Sequence, residues 1–366
     1  MNKMTLKKLL LKLLFFITSI LLFTVIFNHV MDTGSKDHLN YHTLKLTMNN
    51  SFKPGPIYAD NEQSKYRNLS SSNSSTENYL DSLELKNVVP DFAFVSKSCD
   101  NNLDMKQWAP ASVKAKICLF PLSKDRFVSH SIKHYGNWET GIQKHIFSQV
   151  FPLFPKAAFV DIGGHLGTFS ISAAKLGRQV FTFEPVKETL EYLATSVRVN
   201  SLQQSMHVYP VALMDQRYMC VHSKDNPTNS GGRAVRIEYD QCSPQSSKAA
   251  TLDDLLPIFQ RLNLSEAILK MDCEESEPYA VLGGLKFFQE ISVPFIAMEF
   301  SAIKDRMKKG NDRKYDLIAE KFLEQMEKMN YVPTPVGGDL ARNLTKVNHF
   351  KWPSDINWVK VAKKLN

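Results

Sequence analysis

The sequence contains no G-x-G-x-x-G string, which excludes the turn that usually seats a dinucleotide's pyrophosphate against a helix N-terminus. It has no basic patch interleaved with aromatic residues and no nucleic-acid-binding module. The formal charge of +8, from 45 basic and 37 acidic residues, is therefore read as topogenic and scattered, and nucleic acid is not an expected partner. No grouping of His or Cys completes a transition-metal set, so no metal is expected. Cysteine is scarce, with five residues. Cys99 with Cys118, and Cys220 with Cys242, are close enough to close loops and would leave Cys273 unpaired; the other reading is five buried thiols. From about Met31 to Leu85 a sustained apolar period is missing, and the Ser- and Asn-rich stretch NLSSSNSSTEN cannot bury enough surface to offset its ordering entropy. That segment reads as a flexible stem.

One long apolar run is present. Lys3, Lys7, Lys8 and Lys12 precede LLFFITSILLFTVIF, which with Leu9 to Leu11 is just long enough to span a thin bilayer. The basic flank would stay cytosolic and place the C-terminus in the lumen. A cleaved signal peptide is the rival reading, but no small-x-small site follows closely. The expected organisation is a cytosolic tail at 1–8, a transmembrane anchor at 9–30, a stem at 31–87 and a folded domain at 88–366. Sequons at Asn49, Asn68, Asn73, Asn263 and Asn343 become candidate glycosylation sites behind such an anchor.

The folded part is organised around Ala157 to Pro185, which reads as strand (AAFV), tight turn, helix, strand (VFTF) and acid. Gly163, Gly164 and Gly167 are expected to let the backbone approach a ligand. A helix starting near His165 would direct free N–H groups at it. Glu184, about twenty residues past the turn, stands where an α/β nucleotide site keeps an acid for the ribose hydroxyls. Asp161, ahead of the glycines in DIGGHLG, would repel a pyrophosphate and suits a cationic, phosphate-free ligand such as S-adenosylmethionine.

Upstream, a loop bearing His130, His134, Tyr135, Trp138 and Glu139 is either a lid on the pocket or ordinary core and surface. Downstream, MHVYPVAL reads as a third strand ending near Asp215, with Met214 and Asp215 as candidate ring contacts. YMCVH and AVRIEY suggest an inserted hairpin around DNPTNSGG, and Thr251 an N-cap for TLDDLLPIFQRL. AILKMDCEESEPYAVLGG reads as a buried fourth strand, then the acids Asp272, Glu274, Glu275 and Glu277, then a helix. One of these acids is a candidate general base or hydroxyl anchor, and the alternative is helix capping with solvation. PFIAMEF is a fifth strand ending at Glu299, DRKYDLIAEKFLEQMEKM an amphipathic helix, and YVPTPV, VNHFKW and INWVKVA late strands.

VDIGGHLGTFS, VFTFEP, PVAL, TLDDL, LKMDCEESEPYAVLGG and FIAMEF, in that order, resemble the FkbM-type S-adenosylmethionine-dependent methyltransferases over roughly Lys116 to Val361. The resemblance implies an α/β class I methyltransferase fold, Rossmann-like and doubly wound, with a mostly parallel seven-stranded sheet. It implies S-adenosylmethionine as cofactor and O-methylation of a sugar or natural-product hydroxyl. Asp161, Gly163, Gly164 and Gly167 would form the cradle, Glu184 the ribose anchor, and Asp272, Glu274 and Glu277 the acidic motif, with His165 as a further candidate for the acceptor's proton. The chain departs from the family pattern at Glu275, usually glycine, and at Gly164-His165, usually Ala-Asn. With the anchor and stem, the layout resembles Golgi glycan-modifying enzymes. The expectation is a single-pass type II protein of the Golgi or endoplasmic reticulum with a luminal domain, acting on a glycan or a small-molecule hydroxyl. The competing class is a catalytically inactive, membrane-tethered binding or scaffolding protein.

Overall fold

Five consecutive residues, Ala158–Ile162 (β1), are buried with no polar alternation, the signature of a strand covered on both faces. Six further strands join it: Val180–Phe183 (β2), Met206–Tyr209 (β3), Glu266–Met271 (β4), Ser292–Glu299 (β5), Tyr331–Pro335 (β6) and Asp355–Lys360 (β7). Their order across the sheet is β6-β7-β5-β4-β1-β2-β3. β7 runs antiparallel to both β5 and β6, and the other pairings are parallel. The doubly wound, mostly parallel seven-stranded sheet expected from the sequence is therefore present. The chain winds outward from β1 to β3 and then crosses back to β4 on the other side of β1. At that reversal the connections leave in opposite directions and open a crevice at the strands' carboxyl ends.

This computed structural model describes residues 79–84 and 99–361, apart from 107, 110–111, 219, 224–227, 238–242, 244–245, 338–343 and 345. The chain divides into units Met1–Ser51 and Phe52–Asn366, and every described residue lies in the second. The expected anchor at 9–30, most of the stem and the sequons other than Asn263 lie outside the described residues. Asn263 is exposed. Among the described residues no helix is long and apolar enough to cross a membrane.

Several elements differ from the sequence expectation for identifiable reasons. The third strand breaks at Pro210, which has no N–H to donate. Met206–Tyr209 stays in the main sheet, while Val211–Leu213 pairs in parallel with Lys248–Ala250. His130, His134 and Tyr135 sit on a helix, Val128–Tyr135, not a loop, and VNHFK forms a 3-10 turn, not a strand. Residues 79–84, grouped with the stem by composition, pack on the domain: Leu80 is fully buried, Arg261 forks onto Asp81 at 2.7 and 2.8 Å, and His207 meets Glu84 at 2.7 Å. The inserted hairpin is formed by Val221–Ser223 and Val235–Ile237. Thr251 and Asp254 close a capping box at the start of Leu252–Leu255. Cys99 and Cys118 form a disulfide, Cys220 is in another whose partner lies outside the described residues, and Cys273 is free.

Candidate functional site

The first turn shows what its glycines do. Gly163 has φ +81°, and a Cβ there would overlap the carbonyl oxygen of Asp272, the residue just past β4. A Cβ on Gly164 would overlap Thr182, and one on Gly167 would press on Leu193 and Ile171. The glycines therefore also serve packing: they let β1, β2, β4 and the helix Lys187–Val199 close on one another, while Gly163 and Gly164 line the cavity at the strands' carboxyl ends. The helix begins at Thr168, three residues later than expected, with Gly167 as N-cap. His165 stays in the turn at φ +46°.

The turn and Glu184 are locked together. Glu184, at the end of β2 and 5% exposed, accepts the His165 N–H at 3.0 Å on one oxygen and the Val186 N–H at 2.8 Å on the other. Burial nonetheless pushes its carboxyl up to about 7. Each oxygen has a lone pair left, the capacity two vicinal hydroxyls require. The His165 ring bonds Ser230 through Nε2 at 2.9 Å, and burial lowers its pKa to about 4, so it is neutral at physiological pH.

Beneath the turn, Lys270 on β4 is the buried cation of the site. Its Nζ donates to Asp272 Oδ2 at 3.1 Å and lies 3.7 Å from Asp161 Oδ1. Burial alone would lower Lys270; the charges of Asp272 and Asp161 outweigh it and raise its pKa. Burial would likewise raise Asp272, and Lys270 reverses the sign. Asp161 is fully buried, accepts from Ser170 Oγ, and is pushed upward by that burial. Around Asp272 the acids are crowded. Burial and then the Asp272 charge raise Glu274 to about 7, Glu299 to about 9 and Glu139 to about 8. One oxygen from each of Asp272, Glu274 and Glu299 lies within 4.8 Å of the others, so among the described residues these three could hold a metal ion, and an all-oxygen set suits a hard cation.

These groups line a cavity of about 260 Å³ at the carboxyl ends of β1, β2, β4 and β5. Gly163, Gly164, His165, Glu184, Asp272 and Glu274 line it, as do Trp138 and Glu139 from the upstream segment. Asp161 supports it from below through Lys270. Glu277 is not in the lining: it is fully buried and accepts the Cys273 N–H at 2.7 Å, holding the turn that presents Asp272 and Glu274. Asp215 is not in the lining either; its carboxylate takes the Tyr218 hydroxyl at 3.1 Å, and Val211 to Leu213 line the cavity in its place. The sequence reading assigned no role to Lys270, Ser230 or Arg233.

Residues 161–333 match the family model described as the methyltransferase FkbM domain, a span running from Asp161 in β1 to Pro333 in β6. No curated protein matches the chain by sequence. Among solved structures, the methyltransferase FkbM of Methylobacillus flagellatus aligns at 14% identity and TM-score 0.33, over 56% of this chain and 43% of that one, less than half its length. A putative O-methyltransferase of Klebsiella pneumoniae aligns at 13% and 0.34, over 62% of this chain and 83% of its own. The O-methyltransferase TomG of Streptomyces achromogenes, solved with SAM, aligns at 12% and 0.36, over 66% of this chain and all of its own.

Proposed function

We propose that the domain is an S-adenosylmethionine-dependent methyltransferase that methylates a hydroxyl of a glycan in the secretory pathway. The observation that carries the methyltransferase reading is Glu184, buried at the end of β2 with one lone pair open on each oxygen, facing the acids of β4 across one cavity. The donor set fits the cofactor: a carboxylate for two ribose hydroxyls, and acids with no phosphate cradle for a ligand of positive charge. Bound S-adenosylmethionine supplies an electrophilic methyl group on a positively charged sulfur.

The chain's own residues hold the reactants and move the proton. Glu184 holds the ribose. Asp272, kept ionised by Lys270, attracts positive charge. Glu274, raised to about 7, would take the proton that the acceptor hydroxyl gives up on receiving the methyl group. The secretory setting is supported by the N-terminal apolar run and by the Cys99–Cys118 disulfide, which persists in oxidising compartments. The glycan acceptor rests on the anchor, stem and domain layout.

Isothermal titration of the protein with S-adenosylmethionine tests the reading, and absence of binding at millimolar ligand overturns it. Because Glu184 must be ionised to accept two hydroxyls, affinity should rise with pH through about 7 and level off above it. Glu184→Ala should weaken binding at least tenfold at the plateau, from the loss of two hydrogen bonds to a charged group.

A further inference from the structure

Glu275 sits one residue beyond the cavity-lining Glu274 and is not itself in the lining. Its Oε2 accepts from two guanidiniums, Arg236 Nη2 at 2.8 Å and Arg306 Nη1 at 2.7 Å. Arg236 lies on the hairpin strand Val235–Ile237, and Arg306 on the helix Ser301–Lys309 that follows β5. Arg306 also donates to Asp312 at 2.5 Å and stacks on the Tyr315 ring at 3.8 Å, while the Tyr315 hydroxyl donates to the Glu275 carbonyl at 3.0 Å. Glu275 is held at φ +75°, a conformation that costs a non-glycine residue and persists where the surroundings over-determine it.

The hairpin attached to this network carries Asn229 to Arg233, a wall of the cavity. On the β1 and β2 side that wall is fastened by the Ser230 bond to His165 and by the Arg126 N–H to the Thr228 carbonyl at 3.1 Å. Glu275 fastens the same hairpin to the β4 side. A lone exposed ion pair holds little, but here one carboxylate is shared with the mostly buried Arg306, whose other arm is fixed by Asp312. We propose that Glu275 is a positioning residue: it ties the inserted hairpin to the β4 acidic turn and so sets the width of the ligand cavity. The proposal takes its ligand from the methyltransferase reading, but its structural arm does not depend on that reading.

The test compares wild type, Glu275→Gln, Arg236→Gln and Arg236→Lys by amide hydrogen exchange and by titration with S-adenosylmethionine. In both Gln variants, exchange in residues 228–237 should accelerate about two- to fivefold, with exchange in β4 unchanged. Affinity should fall by a similar factor, and raised salt should bring wild type to the same level. Arg236→Lys, which keeps the charge, should restore both readouts. Unchanged exchange at 228–237 in both Gln variants overturns the proposal. Faster exchange with wild-type affinity overturns the positioning role and leaves a structural ion pair. If wild type binds no S-adenosylmethionine, the functional reading fails and the exchange result alone decides the tie.

Discussion

In the proposed reaction two residues are candidates for the acceptor's proton, and their surroundings push them apart. Desolvation lowers His165 to about 4 in spite of the opposing charges of Asp125 and Asp272, and its Nε2 is engaged by Ser230. Glu274 lies in the cavity beside Asp272, whose charge helps to raise it to about 7, close to the pH at which a base works best. The rate of methyl transfer to a released-glycan pool should therefore rise with pH along a single limb near 7. Glu274→Gln should abolish that limb and lower the rate by about 10²-fold or more. His165→Gln should keep the limb and lose rate only through the altered contact with Ser230. If the limb survives in Glu274→Gln, the base is another group, and Glu299 or Glu139 becomes the residue to replace.

At the scale of elements, the β1–β4 contact is the joint that builds the crevice, and Gly163 is what lets it close. Gly163→Ala adds both left-handed strain and overlap with the Asp272 carbonyl. Gly177, at φ +85° with nothing within 4 Å, carries the strain alone. Denaturant unfolding should show a loss of about 1 kcal/mol for Gly177→Ala and at least about 3 kcal/mol for Gly163→Ala; equal losses would mean that β1 and β4 are not packed this closely. The strands of this joint were readable in sequence because parallel, doubly covered strands carry short apolar runs, as in AFV ahead of Asp161 and AIL ahead of Lys270. Thr251 was readable because a capping box is local. What sequence could not reveal depends on pairing between distant residues. Pro210 is a local signal for the break in the third strand, but nothing local reports that Val211–Leu213 then pairs with Lys248–Ala250. The glycines were readable in sequence, but their close packing on Asp272, Thr182 and Leu193 was not, because those neighbours lie far away along the chain.

For the molecule as a whole, the cluster of raised acids gives an unusual dependence of stability on pH. Glu184, Glu274 and Glu277 are raised to about 7, Glu139 to about 8 and Glu299 to about 9, against 4.5 for an ordinary glutamate. Each binds its proton more tightly folded than unfolded. The stability each contributes is complete below its unfolded pKa and is lost as pH rises through its folded value. Lowered His165 acts in the opposite direction only below about 6.5 and raised Lys270 keeps its charge throughout, so from pH 7 to 9 the falling contribution comes mainly from Glu139 and Glu299, the acids raised to about 7 having lost most of theirs below the window. Thermal unfolding should show a midpoint falling across that window, by roughly 2–4 °C for each kcal/mol lost. Saturating S-adenosylmethionine should flatten the slope, because positive charge beside Asp272 offsets the crowding that raises Glu299 and Glu139. A midpoint that stays level or rises from pH 7 to 9 without ligand would mean that these carboxyls are hydrated, and the crevice more open than its lining indicates.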